Sequence, residues 1–112
     1  MQNSTANAMA NKVIDELKVQ HAEGITDCQI RDINENTNNK AFTVEFIAFE
    51  YLWIGINYEK GRLTPYIIEG NRIIRMKSMC GWWEDVNLSN WVKELTAEIK
   101  LRIPDKYLMA KY

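Results

Sequence analysis

Histidine, cysteine and proline are scarce in this 112-residue chain, with one, two and two copies. A single histidine, His21, excludes histidine-based metal triads and most Ser/His or Cys/His relays. We predict instead that His21 is a packed or capping residue near the end of the first helix. Structural zinc requires four ligands with local spacing, and Cys28 and Cys80 stand far apart with no second cysteine or histidine close by. We therefore predict no metal, no cofactor and two reduced thiols.

Catalytic motifs are also missing. The five glycines are dispersed, so no phosphate-binding loop forms, and no serine has a nucleophile-elbow context. We predict that the protein is not an enzyme and has no catalytic residue. A small-molecule enzyme would need distant carboxylates, such as Glu45 and Glu69, to converge. The net charge of −1 gives no basic excess for binding nucleic acid.

The length suits one domain, since domains commonly run ~100–150 residues. Residues 1–10 are small and polar, without the basic and apolar regions of a secretory signal. A second methionine, Met9, suggests a native start after a vector-derived leader. We predict that residues 1–10 are such a leader and that residues 11–112 form a single α+β domain. We expect a cytoplasmic protein with no membrane association.

The most informative stretch is residues 41–58, which holds three Phe, two Tyr and one Trp but only two charges, Glu45 and Glu50. It is too short and too interrupted to span a bilayer, which takes ~20 apolar residues. Its alternation predicts two strands with a bend near Glu50. We assign to the core Phe42, Val44, Phe46, Leu52, Ile54 and Ile56. We assign to an opposite, apolar–acidic strip Glu45, Ile47, Phe49, Tyr51, Trp53 and Glu59, which would mark an interaction site if no helix covers it.

The remaining patterns complete an α+β fold. Apolar residues at helical spacing predict helices over residues 8–22 and 88–103, the second stopped by Pro104. Strands are predicted over residues 25–33, 63–68 and 72–78, joined by tight turns, with Pro65 favouring an edge or a bulge. We therefore predict an antiparallel meander of about five strands, with an N-terminal and a C-terminal helix packed on one face.

The pair Trp82-Trp83 precedes the second helix. Adjacent residues in a connecting segment cannot easily face one core, so we predict one tryptophan under the sheet and the other half exposed. The alternative is that all four tryptophans lie in the core. The next pair, Glu84-Asp85, is a poor acid/base dyad because neighbours point to different faces. It serves either helix capping, by Asp85 or by Asn87, or as an acidic contact.

The run GWWEDVNLS (81–89) followed by WVKELTAEIKLRIPDKYL (91–108), with the size and the helix–meander–helix order, resembles small immunity proteins of bacterial contact-dependent growth inhibition systems. That resemblance implies binding to a cognate toxin domain, often a nuclease, whose active site or access to substrate is blocked. Acidic groups would steer the encounter and desolvated aromatics would supply affinity. The partner-contact candidates are Glu45, Glu50, Trp53, Glu59, Trp82, Trp83, Glu84 and Asp85.

A second reading is a secretion-chaperone-like or homodimeric adaptor. Such a protein would bind an extended peptide on an open sheet face, and a stable homodimer that ignores folded toxin would favour it.

Overall fold

The sheet is a meander in which consecutive strands lie side by side. The computed structural model describes residues 5–21 and 23–109. Its strands are β1 (Ile25–Asn34), β2 (Ala41–Ala48), β3 (Leu52–Glu59), β4 (Arg62–Glu69), β5 (Arg72–Arg75) and the short β6 (Gly81–Trp82). Its helices are α1 (Ala6–His21), α2 (Leu88–Lys100) and α3 (Asp105–Met109). The strand order is β1-β2-β3-β4-β5, antiparallel throughout, with β6 beside β4. The predicted α+β fold is confirmed.

Alternation along β2 and β3 separates the two faces of the sheet. Phe42, Val44 and Phe46 point inward and are almost completely buried, as are Ile54 and Ile56. Both long helices pack their apolar sides into the same core. The helix residues buried there include Met9, Ala10, Val13, Leu17, Trp91, Val92, Leu95 and Ile99. Within the described ranges, no helix has the length and apolarity that crossing a membrane requires.

The bend predicted near Glu50 is confirmed as a turn in which Phe49 and Glu50 adopt positive φ, 53° and 57°. Phe49 is only 3% exposed, and its N–H donates to the Gly24 carbonyl at 2.7 Å. A Cβ at Gly24 would lie 2.5 Å from Cε1 of Phe49, so the close approach requires glycine. The assignment of Phe49 to the exposed strip is therefore wrong, because the turn rotates its ring into the core.

The region after β5 differs from the predicted strand over residues 72–78. Strand β5 stops at Arg75, Met76 is buried, and a 3-10 turn follows at Lys77–Met79. The chain then returns to β4 as β6. Pro65 lies inside β4, opposite Ile56, so it is not on an edge strand. It sits where β4 changes its outer neighbour from β5 to β6, and neither strand pairs with residue 65.

Helix α1 begins earlier than the sequence indicates. The Glu35 carboxylate accepts from the backbone N–H groups of Ala6, at 2.7 Å, and Asn7, at 3.1 Å. These are donors that a helix start leaves without intrahelical partners. Ala6, Met9 and Ala10 are buried in the core. The leader over residues 1–10 stays a prediction, but its last residues belong to a packed helix.

Helix α2 begins as predicted and ends slightly sooner. Of the two proposed caps, Asn87 is the one that acts: its side-chain oxygen accepts from the Asn90 N–H at 3.0 Å. The helix stops at Lys100, and Ile103, which the pattern had included, is buried just beyond it.

Replacing Glu35 tests the cap of α1. We expect Glu35→Ala to lower the free energy of unfolding by about 0.5–2 kcal/mol, because two helix-start donors lose a charged acceptor. Glu23→Ala, in the exposed turn after α1, should change it by less than about 0.5 kcal/mol. Urea unfolding followed by circular dichroism measures both. Equal effects would show that Glu35 does not support the helix.

His21 joins α1 to α2 and to the β2–β3 turn. Its Nε2 lies 3.2 Å from Oγ1 of Thr96, and its ring meets Phe49 edge-on at a centroid distance of 5.8 Å. The Thr96 hydroxyl itself donates to the Lys93 carbonyl at 3.1 Å, so Nε2 of His21 carries the proton of their bond. Burial, and then the nearby Lys100 ammonium, lower the pKa of His21. The predicted packing role of this residue is confirmed.

The lowered pKa of His21 predicts a pH dependence. The unfolded chain binds this proton more strongly than the folded one, so His21 should make stability fall as pH drops below about 6.5. Because His21 is the sole histidine, its C2 proton gives a single imidazole signal in the NMR spectrum. We expect that signal to titrate below pH 6.5, and Lys100→Gln to raise its pKa. Lys12→Gln, on the exposed side of α1, should leave it in place; an unchanged pKa in both variants would contradict this account.

Candidate functional site

The sheet surface opposite the helices is here called the open face. Strand alternation places on it the outward residues of the central strands, and no helix covers them within the described ranges. Neighbouring rows run across the sheet in register. The open face comprises Gln29, Arg31, Thr43, Glu45, Ile47, Trp53, Gly55, Asn57, Glu59, Arg62, Thr64, Tyr66, Ile68, Ile73, Arg75 and Trp82.

A polar cluster occupies the centre of the open face. Gly55 stands between Glu45 and Tyr66 in the row, and a Cβ at Gly55 would lie 2.5 Å from Cε1 and Oη of Tyr66. The tyrosine ring therefore lies directly over the glycine, and its hydroxyl is close enough to feel the negative charge of the Glu45 carboxylate. Arg31 reaches the same carboxylate from β1, at 3.2 Å, and also donates to Gln29 Oε1 at 3.0 Å.

The protonation of Tyr66 fits this arrangement. Its pKa is raised, first by burial and then by the negative charge of Glu45, while Arg31 acts in the opposite direction. The phenol therefore stays protonated across the neutral pH range. The cluster of Arg31, Glu45 and Tyr66 at the centre of the open face is here called the central platform, and its Tyr66 ring crosses β3 over Gly55.

One row of the open face is apolar. Ile47, Trp53, Ile68 and Ile73 follow one another across β2 to β5. Trp53 is 53% exposed and Ile73 60% exposed, although both side chains are large and apolar. Contiguous exposed apolar surface of this kind is typical of interaction sites. Ile47 and Trp53 of this row belong to the predicted apolar–acidic strip, whereas Ile68 and Ile73 were not assigned to it.

A second exposed tryptophan lies at the opposite end of the strands. Arg62 faces Trp82 across β4 and β6, and its guanidinium carbon lies 5.4 Å from the indole centroid. Trp82 is 53% exposed. Glu59 stands opposite Arg62 on the neighbouring strand, next to the Lys60-Gly61 turn. The open face thus ends in an aromatic group bordered by one acid and one base.

Trp83 turns the other way. Its indole meets the Tyr58 ring edge-on, with centroids 5.8 Å apart, and Tyr58 stacks on Phe42 at 5.2 Å. The backbone N–H of Trp83 donates to the Gly61 carbonyl at 2.8 Å, which fixes the chain at that point. The prediction that one tryptophan packs under the sheet and the other is half exposed is confirmed. Burial, and then the Glu84 carboxylate, raise the pKa of Tyr58.

The other candidates lie apart from the open face. Glu50 is in the β2–β3 turn, and Glu84 and Asp85 are exposed in the turn before α2. Tyr51, assigned to the strip, instead packs against Tyr107 of α3, with the ring centroids 4.7 Å apart and the rings tilted by 49°. Of the eight predicted contact residues, the structure brings four to the open face: Glu45, Trp53, Glu59 and Trp82.

Some of the residues that complete the open face were not predicted. Tyr66 comes from β4, for which no outward residues were predicted. Arg31 comes from β1, where a bulge obscures the alternation. An isolated Gly55 inside an aromatic strand was the available signal, since glycine in a strand often marks a close approach. Glu45 and Glu69 were the example of distant carboxylates that an enzyme would bring together. They lie on opposite faces of the sheet, because Glu69 is one residue beyond the outward Ile68.

The described part of the chain contains no group of three or more His, Cys, Asp or Glu placed to hold a metal ion. Cys28 and Cys80 are free thiols, each partly buried. Comparison with protein-family models, with curated proteins and with solved structures finds no match for this chain. The open face itself is therefore the basis for inferring a function.

A substitution at Gly55 tests the central platform. We expect Gly55→Ala to lower the free energy of unfolding by about 1–3 kcal/mol, because the new methyl group expels the Tyr66 ring. In a Tyr66→Ala background the same change should cost less than half as much, since the space is then vacant. Thermal and urea unfolding of the four proteins measure this coupling. Equal costs in both backgrounds would mean that Tyr66 does not lie over Gly55.

Proposed function

We propose that this protein is an immunity protein that binds a cognate bacterial toxin domain through the open face and so neutralises it. The observation that carries the proposal is the pair of half-exposed tryptophans, Trp53 and Trp82, on a sheet face that no described helix covers. An indole offers large contact area at low entropy cost, which is why tryptophan is enriched among interface hot spots.

The rigidity of the open face supports this proposal. Trp53 stands in a regular central strand paired on both sides, and Trp82 is held against β4 by the β6 pairing and by the Arg62 contact. Side chains fixed before binding lose little freedom when a partner arrives, so more of the contact energy appears as affinity. Between the two tryptophans, Arg31 is already paired with Glu45 and Gln29.

The charge of the open face is mixed rather than acidic. Glu45 is paired with Arg31, and Glu59 faces Arg62. The acidic groups that we expect to steer the encounter therefore lie beside basic ones on this surface. Alternating acids and bases favour selection of one partner over others more than fast capture of any basic surface.

One feature favours the second candidate, an adaptor that binds an extended peptide or a second copy. The edge strand β5 exposes Ile73 and Ile74 and has no neighbour on its outer side within the described ranges. The opposite edge, β1, is interrupted by bulges where Asp27 and Asp32 adopt positive φ, a device that discourages strand addition. A peptide could therefore add to β5 but not readily to β1.

Co-expression with the toxin domain encoded beside this gene separates the two candidates. The proposal predicts that cells survive and that the two proteins co-purify as a stable complex. A homodimer that captures extended peptides, fails to protect cells and ignores the folded toxin domain would support the adaptor and refute the immunity function.

Replacing Trp53 tests the surface itself. We expect Trp53→Ala to weaken toxin-domain binding by roughly 30-fold in Kd, about 2 kcal/mol, because a central hot spot is lost. Thermal stability should change little, since half the side chain is already in water. Leu101→Ala is the matched control: this side chain is 79% exposed and lies just past α2, away from the open face. Isothermal titration calorimetry measures both, and equal losses would refute the assignment of the surface.

A further inference from the structure

A hollow of about 100 Å³ opens on the open face between β1 and the apolar row. Ile47 and Ile68 line it together with the exposed indole of Trp53. Asp27 and Glu45 contribute carboxylates on the β1 side. Sites for small-molecule ligands occupy ~300–1,000 Å³, so this hollow suits one side chain of a larger partner.

The β1 bulge brings Asp27 to the hollow. The pairing of β1 with β2 shifts between Thr26 and Gln29, and Asp27 adopts φ of 55°. Cys28 packs against the core, which leaves Asp27 as the extra, exposed residue. Bulges commonly re-aim a side chain in this way. Without the bulge, strand alternation would place residue 27 on the helix side.

The lining selects a cation with an apolar stem. Its charged groups are the carboxylates of Asp27 and Glu45 and the guanidinium of Arg31, which leaves negative charge in excess. Glu45 already accepts from Arg31, but a carboxylate has about four acceptor positions, so capacity remains. A cation beside these acids would also meet the Trp53 indole, and its methylene groups would cover the isoleucines.

We propose that this hollow receives one basic side chain, a lysine or an arginine, from the protein partner. The inference rests on the proposed function, because it concerns the partner that the open face would bind. It adds the chemistry of one contact: the partner presents a cationic side chain flanked by surface that covers Trp53. A metal ion is a poorer occupant, since Asp27 and Glu45 belong to no metal-competent group within the described residues.

Titration of the whole protein with small probes tests the hollow directly. The probes are the N-acetyl amides of lysine, arginine and norleucine, the last an uncharged analogue of lysine. We expect both cations to shift the Trp53 indole N–H signal in NMR spectra and to bind about five-fold more tightly than norleucine. Equal shifts from norleucine, or no shift of Trp53 with either cation, would overturn the proposal.

Charge-removing variants decide whether the acids cause that preference. Asp27→Asn and Glu45→Gln should each reduce the preference for cations, and Glu69→Gln, on the opposite face of the sheet, should leave it unchanged. Asparagine also tolerates positive φ, so Asp27→Asn keeps the test valid if Glu45→Gln unfolds the protein. A preference that persists in both variants would contradict the proposal.

The same variants separate this inference from the proposed function. If the toxin domain binds Asp27→Asn and Glu45→Gln as tightly as it binds Glu69→Gln, the hollow receives no basic side chain and the immunity function stands. If the toxin domain does not bind the unaltered protein, the proposed function fails, and the amide titration still determines the chemistry of the hollow.

Discussion

The register of the β2–β3 hairpin determines which side chains form the core and which form the open face. Its pairing runs from Ala41 opposite Glu59 to Ala48 opposite Leu52. Because side chains alternate with a period of two, a slip by one residue would exchange the core for the open face. Phe49 opposes such a slip: its ring is buried, and its N–H bonds to Gly24 at the end of α1. One turn thus fixes both the hydrophobic core and the open face.

The arrangement of the open face depends on the absence of a side chain at Gly55. Any residue larger than glycine at position 55 would occupy the space where the Tyr66 ring lies. With glycine there, the Tyr66 hydroxyl reaches Glu45, which Arg31 holds from the other side. The cluster of Arg31, Glu45 and Tyr66 lies between two exposed tryptophans. A surface of this kind presents aromatic contacts on both sides of a polar centre, a composition that favours selective binding.

Local patterns predicted the architecture because the governing forces are local here. Alternation, helical spacing and turn residues place the strands and helices within a few residues, and the inward Phe42 and the outward Trp53 lie where alternation put them. The failures come from geometry that a pattern does not encode. Phe49 enters the core because a positive-φ turn rotates it, and Asp27 reaches the open face through a bulge. The Tyr66–Glu45 contact joins residues from non-adjacent strands, so only the folded sheet reveals it.

We propose that the open face is the surface that contacts the toxin domain. Hydroxyl-radical footprinting of the protein, free and in its complex with the toxin domain, tests this most directly because it reports side-chain burial residue by residue. We expect strong protection of Trp53 and Trp82, with the exposed Val19 of α1 and Leu101 beyond α2 reacting as before. Protection of Val19 and Leu101, with Trp53 and Trp82 unchanged, would place the partner on the helical layer and contradict the account.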